Sequence, residues 1–361
     1  MVFLGVKLLA MTLANSWAEI LGKLLQKQAL ERSEAAWAMT QIMAGDASDA
    51  QVGAFMLALR SKGETVDELA GLVDVMLRNA VILDTGSDAV DIVGTGGDMV
   101  GTVNISSMAS ILTSAAGIPV MKHGSRSASG KTGSSEMLEV LGIRLDLSPE
   151  RVADVFREVG ITFFFAPVFH PAMRYVAPIR RELGVPTTFN FLGPLANPAQ
   201  PIATSLGVAN REVAPLMAQE VANRGRSALV FRGSDGLDEL TTTGISDIWE
   251  VAGGEVRHST LNPTQLGIST ARLEDLLGGD PQQNAHIAKS LFEGKLGGPI
   301  LDIVRLNAAA GVVAYELAKD PSKLDEPLVE RFDNALQQVS EALSDGRGEA
   351  KLSAWMTATQ S

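Results

Sequence analysis

The chain has 361 residues, 46% of them hydrophobic, with a formal net charge of −12 and no cysteine. That length supports one to three domains with a sizeable core, and the acidic balance without a basic stripe argues against a nucleic-acid partner. The missing thiols exclude disulfides, a thiol nucleophile and cysteine-based zinc. Four histidines scattered without ligand spacing leave oxygen-bound magnesium as the favoured divalent ion.

The opening stretch Met1 to Ala14 faintly resembles a signal peptide, but Lys7 interrupts the apolar run and no basic region precedes it. A cytoplasmic protein is therefore expected, and no run is long or pure enough to span a membrane. Asn15 or Ser16 starts a helix carrying Trp17, Ile20, Leu21, Leu24 and Leu25 on one face. Ser33 starts a second helix, ended by Gly45. Ser48 with Gln51, and Thr65 with Glu68, form capping boxes before two more. These four amphipathic helices make a small helical unit.

From Val90 the rhythm changes. Short β-rich runs at Asp91–Val93, Pro119–Lys122, Ile161–Phe165, Thr187–Phe191, Ser205–Val208 and Ala228–Phe231 alternate with helical segments. The alternation predicts an α/β architecture: a mainly parallel central sheet flanked by helices, with the α-helical unit separate. Ser148-Pro149-Glu150 opens one of the covering helices. Gly253-Gly254 after Trp249-Glu250-Val251 marks a hairpin. The last 80 or so residues, including Ile300–Leu317, read as helical.

Four clusters carry candidate chemistry. The first is Gly94-Thr-Gly-Gly-Asp98, a glycine turn between a strand and a helix start. Glycines let backbone N–H groups approach an anion, and a helix N-terminus adds unpaired donors. Met99 stands where the dinucleotide fingerprint needs its third glycine, so that fingerprint fails. A carboxylate such as Asp98 repels phosphate unless it faces a hydroxyl or a metal-bound water. Asn104, Ser106 and Ser107 follow. They either cap the helix, or Asn104 and Ser107 bind phosphate while Ser106 ligates magnesium.

The second cluster runs from Lys122 to Ser134, with three cations, five small hydroxyls and three glycines in thirteen residues. Such a loop suits a multiply charged anion such as pyrophosphate. Gly130-Lys131-Thr132 ends like a P-loop, but Gly124 lies one residue too far upstream, which disfavours a nucleoside triphosphatase. The third cluster is Asp238-Glu239 at the end of a strand, either a solvated turn or a pair holding one or two magnesium ions. The fourth runs from Phe163 through His170 to Arg180-Arg181. Its aromatics suit a core, and Arg180, about three turns beyond His170 on the same helical segment, suits a carboxylate.

Taken in order, Gly94–Asp98, Gly101-Thr-Val-Asn104-Ile-Ser106, Lys122-His-Gly124, Phe189-Asn-Phe-Leu-Gly-Pro-Leu-Ala-Asn-Pro198 and Asp238-Glu239 make the chain resemble the anthranilate phosphoribosyltransferase family over nearly its whole length. The resemblance implies a homodimer of the nucleoside phosphorylase-like fold. Each subunit would have a small helical domain at 1–85, joined in space by helices from about 170–200, and an α/β domain at 86–361. It implies transfer of phosphoribosyl from phosphoribosyl pyrophosphate to anthranilate, with magnesium as cofactor, about two ions per subunit, and no nucleic-acid or membrane partner. Carried residue by residue, it gives the donor Gly94, Gly97, Asp98, Thr102, Asn104, Ile105, Ser106, Ser107, Lys122, His123, Gly124, Ser125, Arg126, Ser127, Ala128, Ser129, Gly130 and Ser134. It gives anthranilate Gly94, Ser125 and Arg180, and magnesium Ser106, Asp238 and Glu239. Lys122 and Arg180 are the expected catalytic residues, with no general base. Ser125 stands where the family usually has asparagine, a shorter side chain with one donor in place of two. A pyrimidine nucleoside phosphorylase and a non-catalytic nucleic-acid-binding relative are the alternatives.

Overall fold

Capping serines and threonines act where the sequence places them. The first four helices are α1 (Trp17–Leu25), α2 (Arg32–Ala44), α3 (Asp49–Lys62) and α4 (Val66–Arg78). Ser16, Ser48 and Thr65 each accept the amide three residues on, at 3.3 Å. Each such cap contributes about 1 kcal/mol. Helix α2 starts one residue ahead of the expected Ser33, with Glu31 at its cap, and ends at Gly45 in the left-handed region. Leu24 is buried but Leu25 is exposed, because successive helical residues point about 100° apart.

This computed structural model describes residues 15–83, 85–86, 88–126 and 133–360. Met1 to Ala14, and Ser127, Ala128, Ser129 and Gly130, lie outside them. After α4 the chain alternates: β1 (Val90–Gly94), α5 (Ile105–Ala115), β2 (Val120–Gly124), α6 (Ser134–Val140), α7 (Pro149–Val159), β3 (Ile161–Phe165), α8 (Ala166–Phe169), α9 (Ala177–Leu183), α10 (Phe189–Leu195), β4 (Ala203–Gly207), α11 (Ala214–Asn223) and β5 (Ser227–Gly233). The hairpin β6 (Ser246–Ala252) and β7 (Glu255–Leu261) turns on Gly253 and Gly254, both at positive φ. Then come α12 (Pro281–Phe292), α13 (Pro299–Lys319), α14 (Leu328–Ser344) and α15 (Arg347–Ala358).

The seven strands lie in the order β3-β2-β1-β4-β5-β6-β7. Strands β1 to β5 pair in parallel, and β6 and β7 add antiparallel at one edge. The chain builds outward from β1 to β3, then returns to lay β4 on the other side of β1. That reversal is where open α/β sheets form their ligand crevice, at the carboxyl ends of the strands.

Side chains alternate across the sheet. Leu229 and Phe231 join the core under α5 and α13, while Ala228 and Val230 join the core shared with the N-terminal helices. Helix α13 comes close: a Cβ on Gly311 would lie 2.7 Å from Ile92 Cδ1. The second core continues from α1–α4 through Val176, Ile179 and Phe189 to Leu206 of β4 and Val208 just after it.

Two further sequence expectations are corrected. Thr187–Phe191 is not a strand; α10 begins at Phe189. The β-branched and aromatic alternation is overridden by a local turn, in which Asn190 Oδ1 accepts the Thr187 amide at 3.0 Å, and by Thr188 bonding to Glu64 at 2.6 Å. His170 and Arg180 do not share one helix either. Pro167, Pro171 and Pro178 divide the segment into α8, a 3₁₀ turn over Pro171–Tyr175, and α9.

Candidate active site

The glycine turn after β1 lies against the acidic pair after β5. Gly96 donates its amide to Asp238 Oδ2 at 2.7 Å. A Cβ on Gly94 would lie 2.1 Å from that same oxygen, and a Cβ on Gly207, at the end of β4, 1.6 Å from the Asp238 carbonyl oxygen. Glycine at both strand ends is thus what lets the acidic loop cross the switch point. Gly96 and Gly97 have positive φ, and so does Met99, whose side chain is 75% exposed. Asn307 of α13 fixes the same loop from below, exchanging two 2.9 Å hydrogen bonds with the backbone of Leu240.

Lys122, only 1% exposed, reaches this loop from β2. Its Nζ donates to Ile92 O at 2.5 Å and to Ser106 Oγ at 3.3 Å. Lys122 and the Ser106 backbone both favour the charged form of the Glu239 carboxylate. The expected metal ligands Ser106, Asp238 and Glu239 and the expected cation Lys122 therefore meet in one cluster, joined by Asp98, which interacts with Asp238. Asp238 and Glu239 stay partly open to solvent but sit deep enough for burial to dominate. Burial, then Asp98, pushes Asp238 up to about 7. Burial, then Asp238, pushes Glu239 well up. Burial also pushes Lys122 down, against the carboxylates that favour its charge. Alone, these groups all drift toward neutrality; a cation on the acids and an anion on the lysine would restore each charge.

These residues fit magnesium. The donors are hydroxyl and carboxylate oxygens, and the carboxylates repel one another without a counter-ion. Among the described residues no cluster of three or more histidine or carboxylate side chains forms a finished cage. Magnesium commonly takes one or two carboxylates and completes its shell with water and substrate phosphate.

The helix start beside this cluster is built as a donor surface. Asn104 occupies the cap position of α5 without capping it. Its Nδ2 donates to Gly133 O at 3.1 Å, and its Oδ1 accepts from Asn284 at 2.9 Å. Ser107 is buried and its hydroxyl has no partner among the described residues. Thr102 pairs with Leu277 in a β-bridge, and Ile105 anchors the turn in the core. Across from it, a Cβ on Gly124 would lie 2.7 Å from the Phe163 ring and 2.8 Å from Ser134 Oγ. Ser125 is exposed and its carbonyl accepts from Ser134 Oγ at 3.3 Å. Arg126 is exposed and pairs with Glu139 at 3.0 Å.

His123 and His170 pack ring to ring, centroids 5.1 Å apart. His123 Nδ1 meets Gly193 O at 3.0 Å and His170 Nε2 meets Ala196 O at 2.9 Å. Burial lowers them to about 3 and about 4 respectively, so both rings are neutral at pH 7. Side chains reinforce the parallel pairing of β1 with β2 at Val90↔Val120. Asp91 Oδ1 accepts the His123 amide at 3.1 Å, and Asn197 Nδ2 bridges Asp91 Oδ2 and Met121 O at 2.8 Å each. Burial raises Asp91 to about 6. Arg180 stands apart on α9. Its guanidinium is half-buried, pairs with no described residue, and is lowered by burial.

Sequence reasoning missed Asp91, Asn197, Asn284 and Asn307. A usable signal existed for two of them. Asp91 interrupts an otherwise apolar strand, and Asn307 sits in a helix of Val, Leu and Ala. Buried polar side chains at such places are almost always bonded.

The fold and site define a glycosyl transferase. Residues 18–80 match the helical bundle domain of the glycosyl transferase family and residues 86–349 its a/b domain. The chain is 51% identical over 350 residues to an anthranilate phosphoribosyltransferase of Leifsonia xyli, covering 97% of this chain and 100% of that one. The Thermus thermophilus enzyme of that name shares 38% identity and superposes with a TM-score of 0.86, covering 95% and 99% of the two chains. The Saccharomyces cerevisiae enzyme, solved in complex with PRPP and Mg, shares 26% identity at a TM-score of 0.85, covering 95% and 98%. The chain belongs to the anthranilate phosphoribosyltransferase family.

Proposed function

We infer that the chain transfers the phosphoribosyl group of phosphoribosyl pyrophosphate to the amino nitrogen of anthranilate, releasing pyrophosphate, in tryptophan biosynthesis. The observation that carries this reading is the meeting of Lys122, Ser106, Asp238 and Glu239 at the sheet's switch point. Cationic and backbone donors on one side and ion-binding acids on the other are what a metal–diphosphate requires. The relatives' complexes with PRPP and Mg and with 4-fluoroanthranilate support it.

Departure of pyrophosphate leaves positive charge on the ribose ring and builds negative charge on the leaving group. Lys122, the Ser107 hydroxyl, Asn104 and the amides opening α5 offset that negative charge. Magnesium held by Ser106, Asp238 and Glu239 supplies further neutralisation of the diphosphate. The glycine turn excludes side chains from the space the donor occupies. Arg180, paired with no described residue, takes the anthranilate carboxylate and places the amine near the reacting carbon. An aromatic amine is already neutral at pH 7, so no general base is assigned. His123 on β2 and His170 after α8 instead hold α10 and its C-terminal end in place.

The reading extends to two magnesium ions per subunit, about one per carboxylate. It includes a homodimer, whose association would cover the exposed Leu25 and Leu57 of α1 and α3, and a cytoplasmic location. It divides the chain at 85/86, with 170–200 joining the helical side, which the shared core of Val176, Ile179 and Phe189 supports. No described helix is long and apolar enough to cross a membrane.

The direct test supplies phosphoribosyl pyrophosphate, anthranilate and magnesium and follows anthranilate consumption against pyrophosphate release. One-to-one stoichiometry is expected; phosphorolysis of thymidine with no such transfer would overturn the reading. Arg180→Ala raises KM for anthranilate by about tenfold or more, with a smaller change in donor KM. An unchanged acceptor KM would remove Arg180 from that site.

A further inference from the structure

Asn104 turns its Nδ2, not its carbonyl oxygen, toward the Gly133 carbonyl at the loop side of the site. A carboxamide has no intrinsic preference between the two orientations; its neighbours decide. Here the deciding chain starts at a backbone amide. Gly279 N–H can only donate, and it donates to Asn284 Oδ1 at 2.8 Å. That leaves Asn284 Nδ2 facing Asn104 Oδ1, to which it donates at 2.9 Å. Asn104 Oδ1 is thereby committed, and its Nδ2 turns to the Gly133 carbonyl, 3.1 Å away at the start of α6.

Asn284 is 1% exposed and lies in the first turns of α12, 180 residues from Asn104 in sequence. Its surroundings are rigid. Val103 N donates to Leu276 O and Gly278 N to Gly101 O, both at 3.0 Å. A Cβ on Gly278 would lie 2.7 Å from Asn284 Oδ1 and 2.9 Å from Thr102 O. The segment carrying Gly279 is thus stitched to the segment carrying Asn104.

We propose that Asn284 is a positioning residue for the phosphoribosyl donor: through the polarity chain Gly279 N–H, Asn284, Asn104, it fixes the Asn104 amide with its donors toward the anion. This rests on the reading that Asn104 contacts the donor. The chemistry is simple. An anion needs donors, and a reversed Asn104 would offer it a carbonyl oxygen.

The test is a double-mutant cycle on steady-state donor and acceptor KM, with donor binding by calorimetry and unfolding to check the fold. Asn284→Asp nearly preserves shape and still accepts the Gly279 amide, but places an oxygen against Asn104 Oδ1. Asn104 then reverses, and donor KM and Kd rise by about tenfold or more while acceptor KM stays within about twofold. Asn284→Ala removes the constraint without reversing it, so its effect is smaller than that of aspartate. A packing role predicts the opposite order, since alanine leaves the larger void. In the Asn104→Ala background the Asn284 effects vanish. Should the aspartate variant fail to fold, the alanine variant completes the cycle alone. The inference is overturned if Asn104→Ala weakens the donor while Asn284 variants do not, or if the Asn284 effects persist undiminished without the Asn104 side chain. If Asn104→Ala itself leaves donor binding intact, the donor-site reading falls and this inference with it.

Discussion

Asp238→Asn combined with Glu239→Gln lowers magnesium-dependent turnover by about 10³-fold or more while the fold persists. The two substitutions keep the shape of the loop and its Asn307 anchor, because Leu240 bonds through its backbone. They remove the charge that a divalent ion needs. They also remove the mutual repulsion that raises both groups, so the ion-free double variant is no less stable than the parent, and near-normal turnover would contradict the metal assignment. The same groups give a pH signature. Burial raises Asp238 from 3.8 to about 7, so between those values the folded chain retains a proton that the unfolded chain has lost. Stability without ligand therefore falls as pH rises through that window. Magnesium competes with those protons, so magnesium plus donor raises Tm more at pH 8 than at pH 6. An equal shift at both pH values would separate the acids from the ion.

Gly207→Ala severely impairs turnover and costs about 3 kcal/mol of stability, the upper end for forced overpacking. The reason is backbone against backbone. The new Cβ would lie 1.6 Å from the Asp238 carbonyl oxygen and 3.2 Å from the Glu239 nitrogen. No rotamer relieves such a contact, so the acidic loop must lift off β4. Turnover then falls by about 10² or more, because small displacements of a positioned group are expensive. Gly22→Ala in α1, where no described atom beyond the neighbouring helix backbone lies within 4 Å of the added carbon, is the control, expected to stabilise by about 0.5 kcal/mol. Measured kcat and Tm for both variants decide the matter: a Gly207→Ala enzyme with parental kcat would show that the loop need not rest on the end of β4.

The legible parts of the sequence were those set by local chemistry. Ser16, Ser48, Thr65 and Ser148 start helices because the cap and its amide partner lie three residues apart. Gly253-Gly254 makes a hairpin because its two positive φ values are cheap for glycine. Thr187–Phe191 was misread because its alternation is also local, and the bonds to Asn190 and Glu64 that override it include one 124 residues distant. The turn at Gly94, the lysine at 122 and the acids at 238 and 239 were each visible as a residue type suited to anions or metal. Their meeting was not visible from spacing, since it depends on β4 returning beside β1. Asn284 was invisible for a different reason. A single carboxamide in a loop or helix carries no spacing pattern, and its value lies wholly in the partners that the fold supplies.

The most direct test is a crystal structure of the chain with phosphoribosyl pyrophosphate and magnesium bound. The account predicts the pyrophosphate in the switch-point crevice, with Lys122, Asn104 and Ser107 within hydrogen-bond reach on one flank and ion density joining its oxygens to Asp238 and Glu239 on the other. Donor density elsewhere on the molecule, with no ion on that acidic pair, would contradict it.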